Sequence, residues 1–336
     1  MKTILTGTWK AKKSAQYTGQ GTKMEYRLLG RTGLKVSALS LGTVELGMDY
    51  GIKKSEKSNH PSADDAINII RCAVDMGINF FDTAPNYGTS ERLLGEAIGS
   101  RTDCYIATKV SIPDSNGKQL IGRRLQQEVN SSLEKSLRAL CREALDIVQI
   151  HNATEEVIKQ GEITEVLLKA QEAGKVRFIG ASVYGEEAAS AAINDGAFDV
   201  IQVAYSLLDQ RMARNVLSLA KSSQVGVMNR SALLKGVLTT RAKWLPDELS
   251  ALRYASERVI NTFGISWDAL PETALRFCLS SGFIHTVLVG VNSRQELERA
   301  VSAASENPLD ENRLKMAEEL GLDDETLVNP FYWAIS

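Results

Sequence analysis

Long apolar runs are missing from this chain. No stretch approaches the roughly 20 apolar residues that a helix needs to cross a bilayer, so no membrane association is expected. Net charge is nearly absent as well. The 39 basic and 41 acidic residues leave −2, which gives no global attraction for nucleic acid or an anionic membrane. Cysteine is sparse: Cys72, Cys104, Cys141 and Cys278 lie far apart, with no Cys-x-x-Cys pair and no metal-ligand spacing. Cys72 and Cys104 sit within apolar runs, as reduced, packed thiols do in a reducing, cytoplasmic compartment. No His-x-His pair occurs, and no metal site is expected. What remains is a chain of 336 residues, 43% hydrophobic, long enough for a large core and of a size that α/β barrels reach as one unit.

The first 23 residues stand apart. They are basic, rich in Ser, Thr and Gly, and hold neither an acid nor an arginine. They lack the arginine and the amphipathic repeat of a transit peptide, and the apolar stretch of a secretory signal. Residues 1–23 are read as a flexible basic extension or an added leader, with Met24 as an alternative start. The domain is expected to run over 24–336.

From Met24 onward, short runs of Val, Ile, Phe and Ala alternate with amphipathic stretches. The strand candidates are Val36–Leu41, Ile78–Asp82, Cys104–Lys109, Leu145–His151, Val176–Ser182, Phe198–Ala204, Val225–Arg230 and His285–Gly290. Continuously apolar strands suit a parallel sheet covered on both faces. Helical spacing fills the gaps, as in Leu120–Leu140 with Leu125, Val129, Leu133 and Leu137 on one stripe. Eight such repeats predict a single α/β (β/α)8 TIM barrel. Met24–Lys35, with Gly30 and Gly33, predicts a hairpin ahead of it, and extra helices are expected between strands seven and eight and in the C-terminal tail.

Active sites of such barrels lie at the C-terminal strand ends. Strands two, three and four end on Asp82, Lys109 and His151, and Tyr87 follows Asp82 in a loop. Singly, each has an ordinary reading: a turn aspartate, a lysine at the rim, a structural histidine. An acid, a base and an imidazole on three adjacent strand ends form a pattern that points to a site. Asp82 would keep Lys109 charged. Lys109 would bring the Tyr87 phenol down from roughly 10. Tyr87 would then serve as acid towards a carbonyl oxygen, or as base towards an alcohol, with His151 orienting the substrate. None of these groups is a hydride source, so redox chemistry needs a cofactor. Ser90 is expected to cap the helix that follows.

The run Asp82-Thr83-Ala84-x-x-Tyr87-Gly88, with Lys109 ending YIATK and His151 ending DIVQIH, resembles the tetrad of the aldo-keto reductases. YRLLGRTGLKVSALSLGT, GKVRFIGAS, VIQVAYSLLDQR and TVLVGVNSRQELERAV resemble other segments of that family, over about residues 24 to 305. The resemblance implies a dinucleotide extended across the barrel mouth, NADPH in preference to NADH. Ser182 and Gln202 would hold the carboxamide. Ser231, Leu233, Lys235 and Gly236 would follow the pyrophosphate, and Gly290, Asn292, Arg294, Gln295 and Glu298 the adenosine half. A helix N-terminus there suits a phosphate, and Arg294 or Arg299 would meet the 2′-phosphate. Two positions depart from the family pattern. Val183 replaces an Asn, and Arg230 stands where an aromatic stacks on the nicotinamide, a place its planar guanidinium can fill.

The resemblance implies an oxidoreductase that converts an aldehyde or ketone carbonyl to an alcohol, or the reverse, with a small-molecule substrate. GMDYGI resembles a branch associated with sugar products, which implies a sugar-like carbonyl. Met48, Tyr50, Phe331, Tyr332 and Trp333 are the pocket candidates, the tail aromatics alternatively packing on the barrel flank. Two other activities fit parts of the pattern: a Schiff-base aldolase acting through Lys109, and a weakly catalytic, NADPH-binding regulatory subunit. The oligomeric state is left open.

Overall fold

The computed structural model describes residues 24–52, 60–111 and 120–333; the extension 1–23 lies outside them. Strands β1 (Tyr26–Leu28) and β2 (Lys35–Ser37) form an antiparallel hairpin. Eight parallel strands follow: β3 (Leu39–Gly42), β4 (Phe80–Asp82), β5 (Tyr105–Val110), β6 (Leu145–Ala153), β7 (Val176–Val183), β8 (Val200–Ala204), β9 (Gly226–Arg230) and β10 (Thr286–Gly290). They pair in sequence order, and β10 closes on β3. Helices fill the crossovers, among them Ala63–Asp75, Ser90–Ile98, Gly122–Ala139, Glu162–Glu172 and Glu186–Asp195, with Arg294–Ser305 after β10. Two more helices, Ser250–Phe263 and Leu270–Leu279, lie between β9 and β10.

The expected first strand, Val36–Leu41, is two strands. Ala38 is the hinge: its N–H donates to Glu25 of the hairpin at 2.8 Å, and its carbonyl accepts from Val287 of the barrel at 2.8 Å. Apolar residues on both sides of Ala38 hide the break, because the hairpin arm also buries its side chains. Leu29, Leu34 and Val36 join Phe80, Ala107, Ile147, Val200, Met228 and Leu288 in one buried cluster inside the barrel. The hairpin therefore plugs the N-terminal end. The fit is close, since a Cβ on Gly226 would come within 2.9 Å of the Leu29 side chain.

Strand alternation carries this plug upward into chemistry. Side chains two residues on point the same way, so above Phe80, Ala107, Ile147, Val200 and Met228 come Asp82, Lys109, Gln149, Gln202 and Arg230. Register sets their neighbours: Gly42 faces Asp82, Lys109 faces Gln149, and Ser182 faces Gln202. An apolar layer is thus roofed by a polar one at the C-terminal mouth.

Candidate active site

Asp82 and Lys109 meet at the top of the barrel core. Lys109 Nζ lies 2.7 Å from Asp82 Oδ2 and donates to the Thr83 carbonyl at 2.8 Å. The residues are 1% and 4% exposed, so the pair is shielded from solvent. Asp82 Oδ1 accepts from Gln202 Nε2 at 2.7 Å and from Gln149 Nε2 at 3.1 Å. Sequence reasoning did not single out Gln149; its place two residues before His151, on the same face of β6, was the available signal.

Tyr87 is brought over this pair by a tight loop. Its N–H donates to the Ala84 carbonyl at 3.0 Å, and Gly88 turns the chain with φ +59°. A Cβ on Gly88 would lie 2.3 Å from the Gly47 carbonyl oxygen, and one on Gly47 2.1 Å from that of Tyr87. The two glycines let the loops after β3 and β4 touch backbone to backbone. Ser90 does not cap the next helix as expected. It is buried at the helix start, and its hydroxyl bonds those of Thr43 and Thr83. Thr43 in turn donates to the Asp82 carbonyl at 2.9 Å. A hydroxyl cluster thereby pins the end of β4, which explains why a short polar residue sits there.

Lys109 Nζ is 4.8 Å from the centroid of the Tyr87 ring, and the rings of Tyr87 and His151 meet edge to face at 5.9 Å. The electrostatics differ from the sequence expectation. Burial pushes the Tyr87 phenol above its ordinary value and the Asp82 charge adds to this, while Arg230 opposes them. The ammonium of Lys109 is engaged by Asp82, and desolvation pulls the lysine itself down. Burial, helped by Lys109 and Arg230, drives His151 down to about 3. Near neutral pH the site therefore offers a protonated phenol beside a neutral imidazole.

These groups open onto a cavity of about 420 Å³ lined by Asp82, Tyr87 and His151. Ser182, Gln202, Arg230, Ser231, Leu233, Lys235, Gly236, Gly290, Asn292 and Tyr50 also line it. Lys109 does not; it lies beneath the floor. Arg294, Gln295 and Glu298 lie outside the lining, and Arg294 pairs with Glu298 at 2.8 Å. Met48 does not line the cavity either. The tail aromatics are away from it: Trp333 is buried and donates Nε1 to the Leu327 carbonyl, while Phe331 and Tyr332 are exposed and pack on each other. Among the described residues, no cluster of three or more His, Cys, Asp or Glu could hold a metal.

Several lining residues escaped the sequence reading. Tyr184 lies under Arg230, whose guanidinium carbon is 3.9 Å from the ring centroid. An aromatic just after the end of β7 was its only mark. Arg230 Nη2 donates to the Val183 carbonyl at 3.0 Å, and its Nε is buried without a partner. Trp267, Asp268 and Glu272 arrive from the helical region between β9 and β10. Glu45 comes from a four-residue helix, Val44–Gly47.

The residues present fit an elongated anionic dinucleotide. The loop after β9 holds Ser231, Leu234 and Lys235 at φ of +62°, +45° and +54°. Backbone strain of this kind persists at ligand sites. Ser182 Oγ and Gln202 Oε1, 3.4 Å apart, lie at the cavity floor. Gly290 leaves space where a Cβ would come within 2.8 Å of Glu45 Oε1.

Glu45 gives a measurable consequence. Burial raises its pKa to about 7, Arg241 working against the shift and Glu296 with it. The folded state then holds a proton that the unfolded chain has released above pH 4.5. Stability must fall as pH rises from the unfolded value to the folded one. Glu45→Gln removes the penalty, so it is expected to stabilise the protein by about 2 kcal/mol at pH 8 and by far less at pH 4.5, as read by urea denaturation.

Known proteins agree with this architecture. A model of the aldo/keto reductase family matches residues 38–321. The chain is 33% identical to an L-galactose dehydrogenase of Arabidopsis thaliana over 323 residues, covering 91% of this chain and 93% of that protein. It is 31% identical to the aldo-keto reductase YhdN of Bacillus subtilis (strain 168), over 64% of each. Among solved structures, the holo form of the aldo-keto reductase AKR11C1 from Bacillus halodurans superposes with a TM-score of 0.73 at 25% identity, over 89% of this chain and 96% of that one. With the closed barrel, its hairpin plug and the family match over most of its length, the chain belongs to the aldo/keto reductase family of oxidoreductases.

Proposed function

We propose that the protein reduces the carbonyl of a small polar molecule, or oxidises the matching alcohol, at the cavity above Asp82 and Lys109. The observation that carries this reading is the position of Tyr87: its ring lies against both His151 and the buried ion pair, at the floor of the cavity. No side chain here can supply a hydride, and a reduced nicotinamide, when bound, would bring that chemistry. Tyr87 gives its proton to the carbonyl oxygen. Neutral His151 donates a hydrogen bond to the same oxygen and fixes its direction. Asp82 holds Lys109 charged beneath the phenol, so the charge left on Tyr87 after proton transfer meets a nearby cation. Ser182 and Gln202 would receive the carboxamide, and the strained loop after β9 the pyrophosphate.

For the substrate, the likeness to an L-galactose dehydrogenase supports a sugar or sugar-like carbonyl. The polar lining around His151, supplied by Asn152, Tyr50 and Tyr184, offers hydroxyl partners. A Schiff-base aldolase is disfavoured because Lys109 lies outside the cavity lining with its ammonium bonded to Asp82 and Thr83. The test is absorbance at 340 nm with NADH and with NADPH against a panel of aldoses, simple aldehydes and ketones. Turnover is expected, highest with an aldose. Binding of dinucleotide without turnover of any carbonyl would favour the regulatory-subunit reading, and covalent trapping at Lys109 by borohydride the aldolase.

A further inference from the structure

The far end of the cavity, towards the helix Arg294–Ser305, carries charges of a kind that the sequence reading did not anticipate. We propose that this end selects NAD(H) over NADP(H), with Glu296 supplying the negative charge that a 2′-phosphate would otherwise bring. The inference rests on the dinucleotide reading above and concerns which dinucleotide is taken.

A helix N-terminus with free N–H groups attracts a phosphate. Here the first turn already carries its own cap and its own carboxylate. Ser293 Oγ accepts from the Glu296 N–H at 3.2 Å, and Glu296 Oε2 accepts from the Asn292 N–H at 3.0 Å. Ser293 thus caps the helix while Glu296 reaches back past it to the residue before the cap, and this places a carboxylate where an anion would bind. Glu296 and Asn292 both line the cavity.

The cations at this end are committed as well. Arg299 donates Nε to Glu272 Oε1 at 2.8 Å and also bonds the Asp268 carbonyl. Arg241 lies between two carboxylates, 3.6 Å from Glu296 and 3.8 Å from Glu45. Each lining arginine here thus faces an acid, and Asp268, Glu272 and Glu296 line the same stretch. A 2′-phosphate, carrying roughly −1.5 to −2 charges at neutral pH, would have to draw an arginine from its carboxylate while approaching three acids. A ribose 2′-hydroxyl meets the opposite situation. It is a donor, carboxylates are acceptors, and an acid at the ribose 2′-hydroxyl marks NAD sites in other folds.

Dissociation constants for NADH and NADPH, measured by nicotinamide fluorescence on the wild-type protein and on Glu296→Gln, test this. NADH is expected to bind about tenfold more tightly than NADPH or better in low salt. Glu296→Gln keeps an oxygen to accept from Asn292 but loses the charge, so it should narrow the ratio by tightening NADPH and weakening NADH. NADPH binding as tightly as NADH to the wild type would overturn the inference and leave the reductase reading standing. An unchanged ratio in Glu296→Gln would overturn the role of Glu296. Binding of neither dinucleotide would overturn both the inference and the reading on which it rests.

Discussion

Tyr87→Phe is expected to lower kcat for carbonyl reduction by about 10³-fold, the scale of a lost general acid, while the dissociation constant for the dinucleotide stays unchanged. The phenyl ring keeps the edge contact with His151 and the position over Lys109, so the loss isolates the hydroxyl proton. The pH profile adds a second check. Burial and the Asp82 charge hold the phenol above its ordinary value, and His151 titrates only near 3. Neither group changes state between pH 5 and 8, so kcat/KM for reduction should be flat across that range once the cavity carboxyl that titrates near 7 is removed by Glu45→Gln. Alcohol oxidation needs the phenol to lose its proton first, and its rate should climb with pH. A limb near pH 6.5 in the reductive direction that persists in Glu45→Gln, the signature of a free imidazole, would contradict this assignment.

Lys109→Met is expected to abolish turnover and to destabilise the protein by about 3–5 kcal/mol, because it leaves the Asp82 carboxylate buried without its cation. Oδ1 of Asp82 would still accept from Gln149 and Gln202, but two neutral amides do not replace an ammonium at 2.7 Å. The double variant Asp82→Asn/Lys109→Met distinguishes the two consequences. With no charge left to strand, it should recover most of the lost stability and none of the activity. Urea denaturation and single-turnover kinetics on the wild type and the two variants decide the matter. A double variant as unstable as Lys109→Met would mean that packing, and not the ion pair, holds this site.

The barrel and the heart of the site were legible because strand ends are legible. Apolar runs closing on Asp82, Lys109 and His151 announce themselves by being continuously apolar and then ending on a polar group, and the barrel brings adjacent ends together. What was hidden depends on contacts between distant segments. Tyr184 matters because Arg230 stacks on it, and nothing local in either segment says so. Glu45 and Arg241 lie far apart in sequence, and only the meeting of two loops over the mouth makes them partners. The tail misled for a related reason. Aromatic residues signal burial without saying against what, and Trp333 is buried close to Leu327 at the end of its own segment. The phenol expectation failed on magnitude: a nearby cation was weighed, but the desolvation of Tyr87 and the claim of Asp82 on that cation outweigh it.

The contact between Gly47 and Gly88 has an evolutionary consequence. Because those two backbones touch with no side chain between them, and Thr43 and Ser90 join below them, the segment bearing Tyr87 is braced by the segment that begins the roof of the mouth. Residues further along the roof, Tyr50 among them, lie outside these bracing contacts. Substrate range can then diversify by exchange of that roof while the chemistry beneath it is inherited intact, provided that neither glycine acquires a side chain.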